Sequence, residues 1–528
     1  MEGGPVMAVR ERPTPGSGQG PVMIVVCVAL ATVVAAMASL NVALPGIARG
    51  TRASQTQLAW VVDAYSLIFA SLLLPAGAIG DRYGRRRALL VGLVVFGLGS
   101  AAAMTVSTAN ALILLRGVLG LGAALVMPAT LSTITTTFPE AQRPRAVATW
   151  AGVAGGSAVI GLLATGLLLE VFSWRSLFGL NVVLAAAAIA GTLRFVPESA
   201  DRHVPRLDVV GALLAVAGLV TLVYSVIEAP NAGWLSGRTA GGIAAGLGVL
   251  GGLVAWELRQ AHPLLDPRLF RNRAFAAGTL SILAQFFAFF GFIFVLLQYL
   301  QLVRGDSALF AAVSMLPMAA AMMSVARRTP RLAARVGARN VCVGGLVLIA
   351  TGLVVLSRLE ATSSYWLIVG GLLPLGAGMG AAMAPATTAI TEALPAAKQG
   401  IGSAMNDLAR ELGGALGIAV VGSVLAASYR GHLDLSGQPP ALAEQARSSL
   451  AVASRLGGAV QAQAQDAFVS GLRAALLCAA AAAVLAAAGV AALLANHGLP
   501  ASRPLDPPGT ARTSEDPRTS TELRRTTT

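Results

Sequence analysis

Fourteen apolar runs, each long enough to cross a bilayer, follow one another along this 528-residue chain. They lie near 21–43, 57–78, 88–107, 110–132, 145–169, 174–196, 207–228, 238–258, 274–302, 307–326, 340–357, 362–388, 400–428 and 471–495. About 20 apolar residues at a rise of about 1.5 Å each match a hydrocarbon core roughly 30 Å thick. The chain is therefore expected to be an all-α polytopic membrane protein with 14 transmembrane helices. Its charged fraction is 12% and its hydrophobic fraction 55%, with a mean hydropathy of +0.72. A soluble globular protein carries about 25% charged residues, so that class is excluded. Glycine and proline interrupt many runs, as membrane helices tolerate. Gly152-Gly155-Gly156 and Gly413-Gly414-Gly417 offer small surfaces for close helix approach.

The net charge of +14 sits in short loops between the runs, not in one basic groove. That pattern excludes nucleic acid as a partner and orients the chain by the positive-inside rule. With the N-terminus inside, the cytoplasmic loops collect Arg82, Arg85, Arg86, Arg87, Arg143, Arg145, Arg202, Arg206, Arg259, Arg268, Arg271, Arg273, Arg327, Arg328, Arg331, Arg335, Arg339 and Lys398. The opposite loops keep Arg49, Arg52, Arg238, Arg304 and Arg358. An even number of spans then places both termini in the cytoplasm. Residues 1–20 read as a cytoplasmic N-terminal tail, and 21–43 is too long for a signal-peptide core, so it reads as an uncleaved first span. Residues 431–470 form a long polar stretch, expected as an outer loop carrying a short amphipathic helix. The Pro-, Thr- and Arg-rich tail over 496–528 is expected to be disordered and cytoplasmic. Cys27, Cys342 and Cys478 each lie in a different run, so neither a disulfide nor a metal site is expected.

Ionisable residues within a span are costly, about 2.5–3.5 kcal/mol at the helix centre on insertion scales, and mark function by default. Asp63, Arg116, Asp407 and Glu411 are such residues, with Arg410 beside the last two. Asp407 and Glu411 are four apart and share one helical face. On that face desolvation and mutual repulsion favour the protonated acids, so the pair is suited to take up and release protons. Structural alternatives stand beside each assignment. Asp63, one turn into its span, can cap or snorkel at the outer interface. Asp407 and Arg410 can neutralise one another, and Arg116 can be an anchor bonded to helix carbonyls. Phe286, Phe287, Phe289, Phe290, Phe292 and Phe294 crowd the ninth run, with Met315, Met318, Met322 and Met323 nearby. Phe286, Phe290, Met318 and Met322 are candidate linings of a cavity for flat, greasy cations; the alternative is lipid-facing bulk. Trp60, Trp150 and Trp174, at span ends, read as interface anchors.

Between the second and third runs stands GAIGDRYGRRRALL. Gly77, Asp81, Arg82, Gly84, Arg85 and Arg86 fit the pattern G-x-x-x-D-R-x-G-R-[RK], which resembles the loop between helices two and three of major facilitator superfamily transporters. Arg331 to Gly337 echoes this loop in the second half. Together with RGVLGLGAALVMPATLS, WRSLFGLNVVL and HPLLDPRLFRNRAF, the chain resembles the fourteen-span drug:proton antiporter branch over 21–495. Within that branch it looks closest to quaternary-ammonium and multidrug exporters. The resemblance implies two six-helix bundles, over 21–196 and 274–495, with two additional helices at 207–258. It implies a monomer in a bacterial plasma membrane, exporting lipophilic, often cationic small molecules against protons and using no cofactor. It further implies an acid at Asp63, an arginine at Arg116, an acid at Asp407, and a conformational latch in the Asp81–Arg85 loop.

The chain departs from that branch in several places. The first-span acid is replaced by Ala36, and the fifth-helix motif carries Leu162 and Thr165 in place of proline and glycine. Val183 stands for a usual proline, and Arg327 and Arg328 stand where apolar residues are common. Arg116, Arg327 and Arg328 would favour an anionic or zwitterionic cargo if they faced the pore. No G-x-x-x-x-G-K-[ST] occurs and Lys398 is the only lysine, so no built-in nucleotide site is expected. His203, His262, His432 and His497 are isolated, HExxH is absent, and no clustered nucleophile and base point to an enzyme.

Overall fold

A computed structural model describes residues 19–200, 208–261, 263–394, 399–435 and 438–494. Most of the expected terminal tails, together with His203, His262, His497 and Lys398, lies outside the described residues. Eighteen α-helices occur among the described residues: α1 (Gln19–Thr51), α2 (Gln55–Tyr83), α3 (Arg85–Ala103), α4 (Ala109–Thr137), α5 (Arg143–Val171), α6 (Ser176–Phe195), α7 (Val209–Ala232), α8 (Gly237–Glu257), α9 (Arg273–Leu302), α10 (Ala308–Val313), α11 (Leu316–Ala326), α12 (Thr329–Val336), α13 (Ala338–Leu356), α14 (Tyr365–Glu392), α15 (Gln399–His432), α16 (Pro440–Ser448), α17 (Leu450–Ala453) and α18 (Gly458–Leu493). Among the described residues, fourteen helical segments are long and apolar enough to span a bilayer. One of them, Ala308–Ala326, is broken between α10 and α11 at Ser314 and Met315, just ahead of Pro317. Proline donates no N–H and crowds the preceding turn, so it suits the start of α11 and not the interior of a continuous helix.

Helix α18 begins at Gly458, well ahead of the apolar run at 471, because its first turns are rich in alanine and glutamine. Much of the polar stretch over 431–470 is thus helical. Within it, α16 and α17 bury Ala443, Ala446, Leu450, Ala451 and Ala453.

Helices α1–α6 pack as one group, with α1 against α4, α5 and α6, and α4 against α2 and α3. Helices α9–α18 form a second group around α9, α14, α15 and α18. Lipid gives apolar helices no hydrophobic reason to associate, so close backbone contact must supply the attraction. Glycines provide it. Gly120 lies on the backbone of Tyr65, Gly345 and Gly378 face each other, and Gly413 and Gly417 lie on the backbones of Leu283 and Phe287.

The two groups meet chiefly at the end remote from the Asp81–Arg85 loop. There Gln301 Nε2 donates to Val42 O at 3.0 Å and Ser449 Oγ to Ala53 O at 3.2 Å. The Leu309 N–H donates to Glu170 Oε1 at 3.1 Å, and the Ser307 hydroxyl also bonds this carboxylate. Gly166 abuts Ala308 and Leu309. The glycines nearer the loop end of α5, Gly152, Gly155 and Gly156, face open space. Helix α7 lies across the α2/α15 seam, and α8 is the outermost helix, packed on α7. Ser423 Oγ donates to Val226 O at 2.7 Å, and Arg430 bonds Asn231, so α7 is hydrogen-bonded to α15. Against α2 it makes the Trp60–Tyr224 ring contact at 5.8 Å. The tryptophans expected as interface anchors divide. Trp150 is buried and donates to Thr130 Oγ1 at 3.0 Å, and Trp174 is buried on Gly46 and Gly50 of α1.

Candidate functional site: the cavity between the bundles

Between the two groups lies about 1300 Å³ of empty space, part of it continuous with solvent. Its wall is apolar and soft. Seven of the thirteen methionines line it: Met37, Met127, Met315, Met318, Met322, Met379 and Met383. Phe286, Phe289 and Phe290 form a ring cluster on one side, with centroids 5.3–6.2 Å apart. None of the seven phenylalanines of α9 is exposed, and for Phe286, Phe289 and Phe290 the cavity wall replaces the lipid-facing reading. Met323, 55% exposed, points away.

Four polar groups reach this wall: Asn41, Tyr65, Arg410 and Glu411. Glu411 is 7% exposed, and its Oε2 has no hydrogen-bond partner. Arg410 Nη1 lies 3.6 Å from Asp407 Oδ1, and the guanidinium lies 4.8 Å from the Phe286 ring centroid. Asp407 stands behind this pair, off the wall, hydrogen-bonded by Asn406, which in turn accepts from Thr387 Oγ1 at 3.0 Å. The i, i+3, i+4 spacing of Asp407, Arg410 and Glu411 thus places them in one patch of α15.

Tyr65 joins this patch to the first bundle. Its hydroxyl donates to Val33 O at 3.1 Å, and it interacts electrostatically with Glu411. Arg116 lies behind it, 1% exposed, with its guanidinium 4.3 Å from the Tyr65 centroid and Nε donating to Val61 O at 2.9 Å. Glu411, Tyr65 and Arg116 therefore stand in series across the two bundles. Asp63 does not join them. It is 0% exposed on α2, off the cavity wall, and both carboxylate oxygens lack partners. Full burial rules out snorkelling at an interface. Ala36 is buried on α1, Leu162 lines the cavity, and Thr165 is buried with its hydroxyl unpartnered.

The basic loop forms a separate constellation. Gly84 joins α2 to α3 at φ +122°, a conformation open to glycine. Arg85 Nε donates to Asp81 Oδ1 at 2.7 Å. Arg86 Nη2 donates to Leu193 O at 2.7 Å, and its N–H to Glu198 Oε1 at 3.2 Å. Gly77 lies against Pro128 of α4, and Arg82 lies near the Tyr83 ring. Among the described residues, every hydrogen bond and ion pair of this loop stays within α1–α6 and the segment after α6. Sequence reasoning missed Glu198 and Glu170. Each is an acid at or just past the end of a run, where a charge reads as ordinary solvated loop.

The described architecture and cavity agree with the comparisons. The Major Facilitator Superfamily model matches residues 26–418. The chain belongs to this superfamily. Multidrug resistance protein Stp of Mycobacterium tuberculosis is 36% identical over 464 residues, covering 84% of this chain and 86% of Stp. The multidrug efflux pump LfrA of Mycolicibacterium smegmatis is 35% identical, covering 84% of this chain and 89% of the pump. The methyl viologen resistance protein SmvA of Salmonella typhimurium is 35% identical, covering 80% and 84%. Among solved structures, a bacterial homolog of the human lysosomal transporter Spinster, inward-facing and unoccupied, superposes with a TM-score of 0.64 at 17% identity. That superposition covers 90% of this chain and 97% of the homolog, and establishes likeness of fold. The protein is thus a multi-pass membrane transporter related to small-molecule resistance and efflux proteins.

Proposed function

We propose that this protein exports lipophilic, mainly cationic drugs or antibiotics in exchange for protons, as a monomer with both termini in the cytoplasm. The observation carrying this reading is Glu411, a carboxylate with one unpartnered oxygen in a wall built mainly of aliphatic, thioether and phenyl groups, with Asn41, Tyr65 and Arg410 the other polar side chains. Such a wall suits flat apolar bodies of varied shape, and a carboxylate in it selects positive charge or a proton. Relatives named for resistance to many drugs, to puromycin and to tetracenomycin C support drug export as the physiological task.

With the basic loop cytoplasmic, the arrangement is open to the inside and closed at the outer end by the Glu170, Gln301 and Ser449 contacts. The Asp81–Arg85 latch is disengaged from the second bundle. Residues 21–196 rock against 274–495, with 207–258 alongside. From outside, protons reach Glu411 or Asp407 and release the cation; deprotonation toward the cytoplasm restores the site. The drive is about 2.3 kcal/mol per charge per 100 mV, plus about 1.4 kcal/mol per pH unit.

A second reading, export of an anionic or zwitterionic compound, draws on Arg410 at the wall. Arg116 is sequestered behind Tyr65, and Arg327 and Arg328 are exposed just past the end of α11 and off the cavity wall, so these three lend it nothing. Uptake of ethidium or a quaternary ammonium by inverted vesicles, for wild type, Glu411→Gln and Asp407→Asn, tests the main reading. Proton-driven uptake unchanged in both variants overturns it.

A further inference from the structure

We propose that Arg410 is a tethered stand-in for cargo: its guanidinium occupies the cation seat over Phe286, and a lipophilic monocation binds by displacing it. This rests on the cation-export reading and adds a specificity-determining residue to it.

The geometry of the seat comes first. The Arg410 guanidinium lies 4.8 Å from the Phe286 centroid, within the roughly 6 Å range over which a ring face attracts a cation. Phe289 and Phe290 flank that ring, and Glu411, the next residue along the helix, lines the same wall. A ring face, further rings and a carboxylate are the features that hold a delocalised organic cation. Here a side chain of the protein itself uses them.

The second argument is how loosely Arg410 is held. A guanidinium carries five N–H donors in a rigid fork, and a structural arginine is held by at least one short hydrogen bond from it. Arg116 donates through Nε to Val61 O at 2.9 Å and Arg86 through Nη2 to Leu193 O at 2.7 Å, although each leaves another nitrogen unpartnered, and Arg85 donates to Asp81 at 2.7 Å. The Arg410 side chain makes no hydrogen bond among the described residues. Its ion pair to Asp407 is 3.6 Å long, and its buried Nε has no partner. It is placed by charge and ring contact alone, the same interactions a cargo cation would make.

The charge arithmetic then favours cargo with one positive charge. Displacing Arg410 toward the open side exchanges one cation for another beside Asp407 and Glu411, so the local charge is unchanged. After cargo leaves, one acid carries the proton and Arg410 returns to the other, so no carboxylate stands uncompensated in the low-dielectric cavity during the return stroke.

The test is tetraphenylphosphonium binding to purified protein in nanodiscs, for wild type, Arg410→Gln, Arg410→Lys and Arg410→Gln/Phe286→Leu. Removing the resident cation should tighten binding about tenfold in R410Q. R410K, a point charge without the planar stack, should fall between. The added Phe286→Leu change should reverse most of the gain. Millimolar guanidinium should compete with tetraphenylphosphonium more strongly in R410Q than in wild type. Equal or weaker binding in a monodisperse R410Q overturns the proposal; should R410Q not fold, equal or weaker binding in R410K overturns it. Wild-type protein that binds no tetraphenylphosphonium refutes the cation-export reading itself. Wild-type binding with no gain on substitution refutes the stand-in alone.

Discussion

Replacing Gly166 by alanine should push this transporter out of the state described here. A Cβ at that position would lie 2.8 Å from Leu309 Cα, 3.1 Å from Ala308 O and 3.2 Å from Ala312 Cβ. Carbon pairs rest at about 3.5–4.0 Å, so the α5/α10 seam must widen by roughly 1 Å. Two of the three neighbours are backbone and cannot rotate aside. Overpacking of this kind costs about 1–3 kcal/mol. The cost is borne only while the outer end is closed, because rocking separates α5 from α10. It therefore appears as a population shift, about 5–150-fold toward the outward-open form. Spin labels at Val171 and Trp366, both exposed near the outer end, report the seam by double electron–electron resonance in nanodiscs once Cys27, Cys342 and Cys478 are replaced. Gly166→Ala should add a longer-distance population. Gly152→Ala, whose Cβ meets nothing here, should not. A distance distribution identical to wild type, accompanied by lower thermal stability, would show that the contact persists through the cycle and refute the reasoning.

Other outcomes follow from the same geometry. For one coupled proton, each pH unit drives about tenfold cargo accumulation in vesicles; Glu411→Gln should abolish that dependence, and a preserved slope counts against Glu411 as the carrier. Gly84→Ala should lower the unfolding midpoint by a cost of about 1–3 kcal/mol, because φ +122° strains an alanine and its Cβ would meet Glu198 Oε1 at 2.7 Å; an unchanged midpoint disproves this. Asp81→Asn should reduce turnover more than cargo affinity, since the loop holds no cavity residue; a wild-type turnover number excludes the latch.

The spans were legible because a long apolar run can do little in a bilayer except form a helix. The break before Pro317 and the early start of α18 were not, since both sit where apolarity and helix propensity part company. For the site, a charge within a span is a strong signal on its own, and it marked Asp407, Glu411, Arg116 and Asp63. It could not separate Glu411 on the wall from Asp63 buried off it. That distinction depends on how α2 turns relative to α15, and a residue's cost in lipid says nothing of its azimuth. The Arg410–Phe286 contact depends on register between α9 and α15, which no local pattern encodes. Glu170 and Glu198 stayed invisible because acids at span ends look like any hydrated terminus.

Helix α7 packs against both α15 and α2, but its interhelical hydrogen bonds among the described residues run to α15. In a rocking cycle, α7 and its companion α8 would therefore be expected to travel with α15 and glide over α2 like a sleeve on a bearing. That sleeve shuts the α2/α15 flank to the acyl chains. The α5/α11 flank has no such cover. Among the described residues Gly152, Gly155 and Gly156 face open space on that flank, so a compound dissolved in the inner leaflet would meet least side-chain bulk on the way to the binding chamber there.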